Sequence, residues 1–252
     1  MNVPAMALRG LTKHYGATRA ADAIDLDIPA GSFYGVVGPN GAGKTTTLSM
    51  ATGLLKPDAG SVKILGIDLW VRPDDAKPLL GVLPDGLRTF DRLTGAELIS
   101  YAGRLRGLDP DIIETRRDDL VDALDLTGAE GTLVMDYSAG MAKKISLACA
   151  LVHAPSVLVL DEPFEAVDPV SAGAIRRILT DFVHSGGTVV MSSHVMALVE
   201  RLCDHVAVVG GGRILASGTI DQVRAGSLLE DRFVALVGNV REHRDLLWLR
   251  PS

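Results

Sequence analysis

Apolar and polar residues alternate from Ala5 to Leu11 and again from Ala20 to Ile28. That period of two is the mark of strands with one face buried and one in water, and so of an antiparallel sheet. Phe33 to Val37 and Val157 to Leu160 are instead unbroken apolar runs, as expected of parallel strands covered on both faces. Gly60 to Leu65, Leu79 to Leu83 and Thr188 to Met191 complete the predicted strands, and Val206–Val209 with Arg213–Ala216 read as a hairpin joined by Gly210-Gly211-Gly212. Helical spacing takes over from Lys44 to Leu54 and between Thr94 and Leu126. There Leu98, Tyr101 and Leu105 share one face, Leu120, Leu124 and Leu126 share another, and Asp109-Pro110 breaks the two. Further helices are predicted near Ser138–Val152, Val170–Ser185 and Val195–Leu202. Strands alternating with helices define an α/β chain.

Two junctions in this pattern carry chemistry. Between the Phe33–Val37 strand and the helix after it lies Gly38-Pro39-Asn40-Gly41-Ala42-Gly43-Lys44-Thr45, which fits the Walker A pattern G-x-x-x-x-G-K-[ST]. Gly38, Gly41 and Gly43 let the backbone take positive φ and turn several N–H groups, with those of Asn40 and Ala42, onto one anionic centre. The helix N-terminus adds its positive dipole end. Lys44 supplies a point charge for the β- and γ-phosphates, Thr45 a hydroxyl for Mg²⁺, and Thr46 a further phosphate contact. Downstream, Val157-Leu158-Val159-Leu160 runs into Asp161-Glu162-Pro163, a Walker B strand. Its carboxyl end is where ligands sit in open α/β sheets. Asp161 is suited to Mg²⁺ through water, and Glu162 to orienting or deprotonating an attacking water. A strand-to-helix turn and a solvated acidic turn are the bland alternatives, and the pairing of the two motifs in one chain argues against both.

Composition narrows the classes. A chain of 252 residues, 47% hydrophobic and 22% charged, can bury a core and is not disordered. A net charge of -6 and a 4% aromatic share disfavour a broad nucleic-acid face. The charge-free stretch from Ile145 to Leu160 is split by His153, Pro155 and Ser156, so it is no membrane span. Met1 to Gly10 lacks the pattern of a secretory signal, and the expectation is a cytoplasmic protein. Cys149 and Cys203 sit in apolar contexts and are expected as buried free thiols.

Between the two phosphate motifs, Tyr137-Ser138-Ala139-Gly140-Met141 resembles the signature sequence of ATP-binding cassette (ABC) proteins. The resemblance spans nearly the whole chain and adds Tyr15 as the adenine-stacking aromatic, Asp168 as the D-loop residue and His194 as the switch histidine. Ala139 and Met141 depart from the widest form of the signature. A Ser-x-Gly-Met form followed by Lys143 and Lys144 resembles the branch that powers type-2 ABC exporters, as does the closing segment from Leu228 to Gly238. Asp85 stands where the Q-loop glutamine is usual, and a carboxylate there offers an oxygen to Mg²⁺ but has a shorter reach and adds negative charge.

The resemblance implies a P-loop NTPase core of RecA-like type with a mixed sheet, an antiparallel β subdomain and an inserted α-helical subdomain. The ATPase domain is expected over residues 1–238, with the insertion at about 87–152 and a short tail at 239–252. It further implies ATP and Mg²⁺ as ligands, with Lys44, Glu162 and His194 catalytic, and hydrolysis coupled to transport, with export as the direction. A second ATP-binding subunit, in a homodimer or a heterodimer, would bring its Ser138 and Gly140 to complete the site. An integral membrane permease would receive the work, contacted from Asp85 into the insertion, and would hold this chain on the inner face of the cell membrane. A soluble cassette ATPase of a non-transport machine is the alternative reading.

Overall fold

The computed structural model describes residues 3–86 and 90–238; the tail at 239–252, with Leu246, Leu247 and Trp248, lies outside the described residues. Its centre is a six-stranded mixed sheet built from β3 (Phe33–Val37), β6 (Leu80–Leu83), β7 (Val157–Leu160), β8 (Thr188–Ser193), β9 (His205–Gly210) and β10 (Arg213–Thr219). The spatial order is β10-β9-β3-β8-β7-β6. Only the β9–β10 hairpin is antiparallel; β3, β6, β7, β8 and β9 run parallel.

The unbroken apolar runs are explained by two cores, one on each face of this sheet. Phe33 and Val37 of β3, Leu158 and Leu160 of β7, and Val189 and Met191 of β8 face one core. Tyr34 and Val36, Val157 and Val159, and Val190 face the other. The period of two survives inside the apolar runs, but both faces are buried, so no polar residue marks it.

The second core is closed by α1 (Lys44–Ala51) and by a four-stranded antiparallel sheet of order β2-β1-β4-β5, with β1 at Met6–Tyr15, β2 at Thr18–Ile28, β4 at Ala59–Ile64 and β5 at Ile67–Asp68. β1 extends past the predicted end at Leu11. Its pairing with β2 shifts register between Leu8 and Leu11, between Leu11 and Lys13 and between Lys13 and His14, and such bulges break the alternation that sequence periodicity relies on. The helix α1 stops three residues before the predicted Leu54, where Gly53 takes φ +78°.

The first core is covered by helices. After the four-residue α2 (Pro73–Ala76) and β6 come α3 (Gly95–Leu105), α4 (Pro110–Ala123) and α5 (Ala139–Leu151). Thr94 and Glu97 form a capping box at the start of α3, and Pro110 occupies the first turn of α4. The predicted apolar face of α3 is corrected: Leu98 is buried, whereas Tyr101 is 38% and Leu105 68% exposed. The helix buries instead the stripe Leu98, Ile99 and Gly103, because Gly103 lets α4 approach so closely that a Cβ would lie 2.8 Å from Ile113.

Beyond β7, α6 (Pro169–His184) and α7 (Met196–Leu202) lie within a residue of expectation, and β8 extends two residues further, through Ser193. Beyond β8 two helices went unpredicted, α8 (Ile220–Arg224) and α9 (Leu229–Val237), as did the short α2 earlier in the chain. Cys203 is buried and Cys149 half-buried, both as free thiols. Burial pushes the Cys149 thiol up to about 12 and raises that of Cys203 further, so neither is a reactive thiolate near neutrality. No helix among the described residues is long and apolar enough to cross a membrane.

Candidate active site

Parallel pairing of β3 with β8 and of β8 with β7, with Val37 opposite Ser193 and Leu160 opposite Met191, brings three carboxyl ends to one edge of the sheet. The phosphate-type loop leaves β3, His194 leaves β8, and Asp161 and Glu162 leave β7. Residues scattered over most of the chain meet there for that reason alone.

Each glycine of the first loop has its own cause. A Cβ on Gly38 would lie 2.5 Å from the carbonyl oxygen of Val209. Gly43 takes φ +101°, and a Cβ there would run into the carbonyl oxygen of Ala20. The loop is also tied from outside. Gly212, in the β9–β10 turn, donates to Ala42 O at 3.0 Å, and its own carbonyl accepts from the N–H of Asp22 at 2.8 Å. At the start of α1 no side chain caps the helix and no acidic residue stands in the first turn, leaving the first N–H groups available to an anion.

Lys44 is buried and donates through Nζ to Gly38 O at 2.8 Å. Glu162 faces it, with Oε1 3.8 Å from Nζ, and its other oxygen, Oε2, lies 3.0 Å from His194 Nδ1. One carboxylate thus spans a lysine from the first motif and the histidine that follows β8. Asp161 is buried behind it, and the Ser192 hydroxyl donates to its Oδ1. The same hydroxyl accepts from the backbone N–H of Glu162 at 2.8 Å. Glu162 itself sits in the left-handed region at φ +46°, a conformation that costs a non-glycine residue on the order of 1–3 kcal/mol and persists only where neighbours enforce it.

A cleft of ≈ 470 Å³ opens over this cluster, lined by Tyr15, Ala20, Asn40 to Thr46, Asp85, Glu162, Glu165 and His194. Tyr15 is 54% exposed, so it is not a core aromatic but a flat face at the cleft wall. Gly38 and the buried Asp161 are not among the lining residues. Ser138, Gly140 and Asp168 do not line the cleft. Ser138 caps α5, accepting from Met141 N at 3.3 Å. Asp168 caps α6, accepting from Val170 N and Ser171 N at 3.0 Å each. Hydrogen bonds from the Ser171 N–H and hydroxyl hold the Asp168 carboxyl below its usual range. Gly140 packs against this cap; a Cβ there would come within 2.8 Å of Asp168 Oδ2 and 2.7 Å of Ser171 Oγ.

Sequence reasoning missed four residues. Ala20 enters the cleft wall through the fold alone. Glu165 is an exposed carboxylate three residues beyond Glu162, in the same turn. Ser192 lies at the end of β8, where an apolar strand turning polar was its only signal. Lys143 donates to the Glu162 carbonyl at 3.0 Å, and nothing in the sequence marked it apart from its neighbour Lys144, which is buried and reaches Asp125 O at 3.5 Å.

The model of the family described as ABC transporter matches residues 21–165. Over 221 residues the chain is 36% identical to the daunorubicin/doxorubicin resistance ATP-binding protein DrrA of Streptomyces peucetius, covering 88% of this chain and 67% of that one. It is also 36% identical over 224 residues to the Nod factor export ATP-binding protein I of Cupriavidus pinatubonensis, covering 86% and 68%. A solved ATP-binding subunit of an ABC transporter superposes with a TM-score of 0.86 at 27% identity, covering 92% of this chain and 99% of that one. A dimeric ATP-binding cassette in a post-hydrolysis state, bound to ADP and Pi, shares the fold with a TM-score of 0.79 at 20% identity, covering 85% and 98%.

The chain therefore belongs to the ABC transporter family. Within it, the protein is an ATP-binding subunit and an ATPase, and its fold is the P-loop NTPase fold of the family.

Proposed function

We propose that this ATPase drives export through a separate membrane-spanning permease, working as a pair of ATP-binding subunits. The observation that carries the reading is the convergence of Lys44, Glu162 and His194 within hydrogen-bonding or ion-pair distance at the mouth of an uncapped helix N-terminus. The triphosphate lies along the loop from Gly38 to Thr46, Lys44 leaves its carbonyl partner for the β- and γ-phosphates, and adenine stacks on Tyr15. Glu162 orients water in line with the γ-phosphate and takes up its proton, while His194 holds the other carboxylate oxygen and senses the γ-phosphate.

The donor set at the γ-phosphate end suits Mg²⁺: the Thr45 hydroxyl, the Asp161 carboxylate and Asp85 are all oxygen ligands. Mg²⁺ would neutralise charge developing on the phosphate oxygens.

Ser138, Gly140 and Asp168 lie away from the cleft of their own chain, which supports their action on the nucleotide of a second subunit, identical or not. Export is favoured by the relatives whose names concern drug resistance and Nod factor export. Exposed Phe90, packed edge-on against Tyr101 at 5.1 Å, and exposed Leu105 support docking of the permease on the segment between Asp85 and α3. The ATPase domain extends over residues 1–238 with its helical insertion at about 87–152, on the cytoplasmic face of the membrane.

Phosphate release from Mg·ATP by the purified chain, together with recovery of a polytopic membrane protein in its complex, tests the reading. Release that persists in Lys44→Ala, or a complex holding no membrane protein, contradicts it.

A further inference from the structure

Both polar groups of the Glu162 backbone are held by side chains from other elements. Its N–H donates to Ser192 Oγ at 2.8 Å, and its carbonyl accepts from Lys143 Nζ at 3.0 Å as well as from the Glu165 N–H of its own turn at 3.2 Å. Ser192 belongs to β8 and is fully buried; Lys143 belongs to α5, the helix capped by Ser138. Between these two bonds Glu162 takes φ +46°, a strained conformation in which its side chain meets Lys44 and His194. A local preference for this conformation does not exist in a glutamate, so the surroundings must impose it. Ser192 uses its single proton on Asp161 Oδ1 and a lone pair on the Glu162 N–H, which fixes the two acids relative to each other.

We infer that Lys143 and Ser192 are positioning residues for hydrolysis: they clamp the Glu162 backbone and so set where its carboxylate meets water. The inference rests on the reading of Glu162 as the group that positions that water. Neither clamp residue touches the cleft that would hold nucleotide. Lys143 therefore acts on turnover and not on binding, whereas Ser192, which also holds Asp161, acts on the Mg²⁺ end of the site as well. Lys143 has a second consequence, because it sits on α5 while its partner follows β7. A shift of α5 relative to the sheet pulls directly on the Glu162 backbone, tying the angle of the carboxylate to the position of the signature helix.

The test is steady-state ATP hydrolysis by the full chain in Lys143→Met, Lys143→Arg, Ser192→Ala and Ser192→Thr, each also made in the Glu162→Gln background. Misplacing a catalytic group by about an ångström costs up to a hundredfold in rate, so Lys143→Met and Ser192→Ala are each expected to lower kcat about tenfold or more, with KM for ATP within about twofold of the parent in Lys143→Met. Arg and Thr, which keep the donor, restore most of the loss. In the Glu162→Gln background Lys143→Met costs nothing further, because the carboxylate it positions is gone, and Ser192→Ala keeps only the part of its loss that runs through Asp161.

Unchanged kcat in both Lys143→Met and Ser192→Ala overturns the clamp. So does a loss that appears only in KM, or one that persists undiminished beside Glu162→Gln. If Lys143→Met lowers the thermal midpoint, the isosteric Ser192→Ala decides alone. Normal turnover in Glu162→Gln by itself overturns the underlying reading instead, so the two failures are distinguishable.

Discussion

Lys44 Nζ stands 3.8 Å from Glu162 Oε1 while it donates to the carbonyl of Gly38 in its own loop. The pair joins the two ends of the site: the lysine opens the helix that would receive phosphate, and the glutamate closes the strand that would deliver water. Both side chains are largely shielded, Lys44 at 7% and Glu162 at 13% side-chain exposure. Each charge therefore depends on the other and on hydrogen bonds for its solvation. A triphosphate entering the cleft brings the lysine a better partner than a backbone carbonyl.

Tyr15 lines the cleft with more than half its surface open. Stacking of a base on an aromatic side chain contributes roughly 1–3 kcal/mol, so Tyr15→Ala is expected to weaken ATP binding about tenfold or more, with Tyr15→Phe near the parent. Fluorescent-nucleotide titration measures this. Equal affinity in Tyr15→Ala and the parent would remove the residue from the site.

Gly43 and Gly41 both take positive φ, but only Gly43 has a neighbour against which a Cβ collides. Gly43→Ala should lose nucleotide binding and lower the thermal midpoint, since it combines backbone strain of order 1–3 kcal/mol with a clash against Ala20. Gly41→Ala carries the strain alone and is expected to be the milder of the two by differential scanning fluorimetry. The reverse order would contradict the packing described for the loop.

His153 lies at the end of α5, where its Nε2–H donates to Leu80 O at 2.9 Å and its buried Nδ1 has no partner. Burial first, and then the nearby Arg106 charge with a smaller share from Arg116, lower its pKa from 6.5 to about 4. The unfolded chain takes up this proton near pH 6.5 and the folded chain only near pH 4. Stability is therefore lost as pH falls through that interval and not above it. His153→Leu removes this titration, so between about pH 7.5 and about pH 4.5 its thermal midpoint should fall less than that of the parent. Parallel midpoints over that range would show that His153 titrates alike in both states.

The sequence disclosed the site more fully than the fold. Lys44 was legible from the glycine pattern that precedes it, and Asp161, Glu162 and His194 because each follows the carboxyl end of an apolar run, a position readable without coordinates. The sorting of β3, β7 and β8 into two cores was not legible, since burial on both faces removes the polar residues that would reveal it. On α3 the stripe was misread because Leu105 and Tyr101 weigh more as apolar residues than Gly103, although it is the small residue that admits α4. The helix α8 carries a readable capping box, Thr219 with Gln222, which was overlooked beside the hairpin before it. Ser192 and Lys143 could not be found by pattern, because each acts on the backbone of a residue brought near only by the folded sheet.

The most direct test of a nucleotide site shared between two subunits is the mass of Glu162→Gln in solution with Mg·ATP, by sedimentation velocity or light scattering. The account predicts a dimer that forms with Mg·ATP, disperses when nucleotide is removed, and fails to form in a Lys44→Ala, Glu162→Gln double variant. A protein that stays monomeric at saturating nucleotide, yet hydrolyses it at the parent rate, would contradict it.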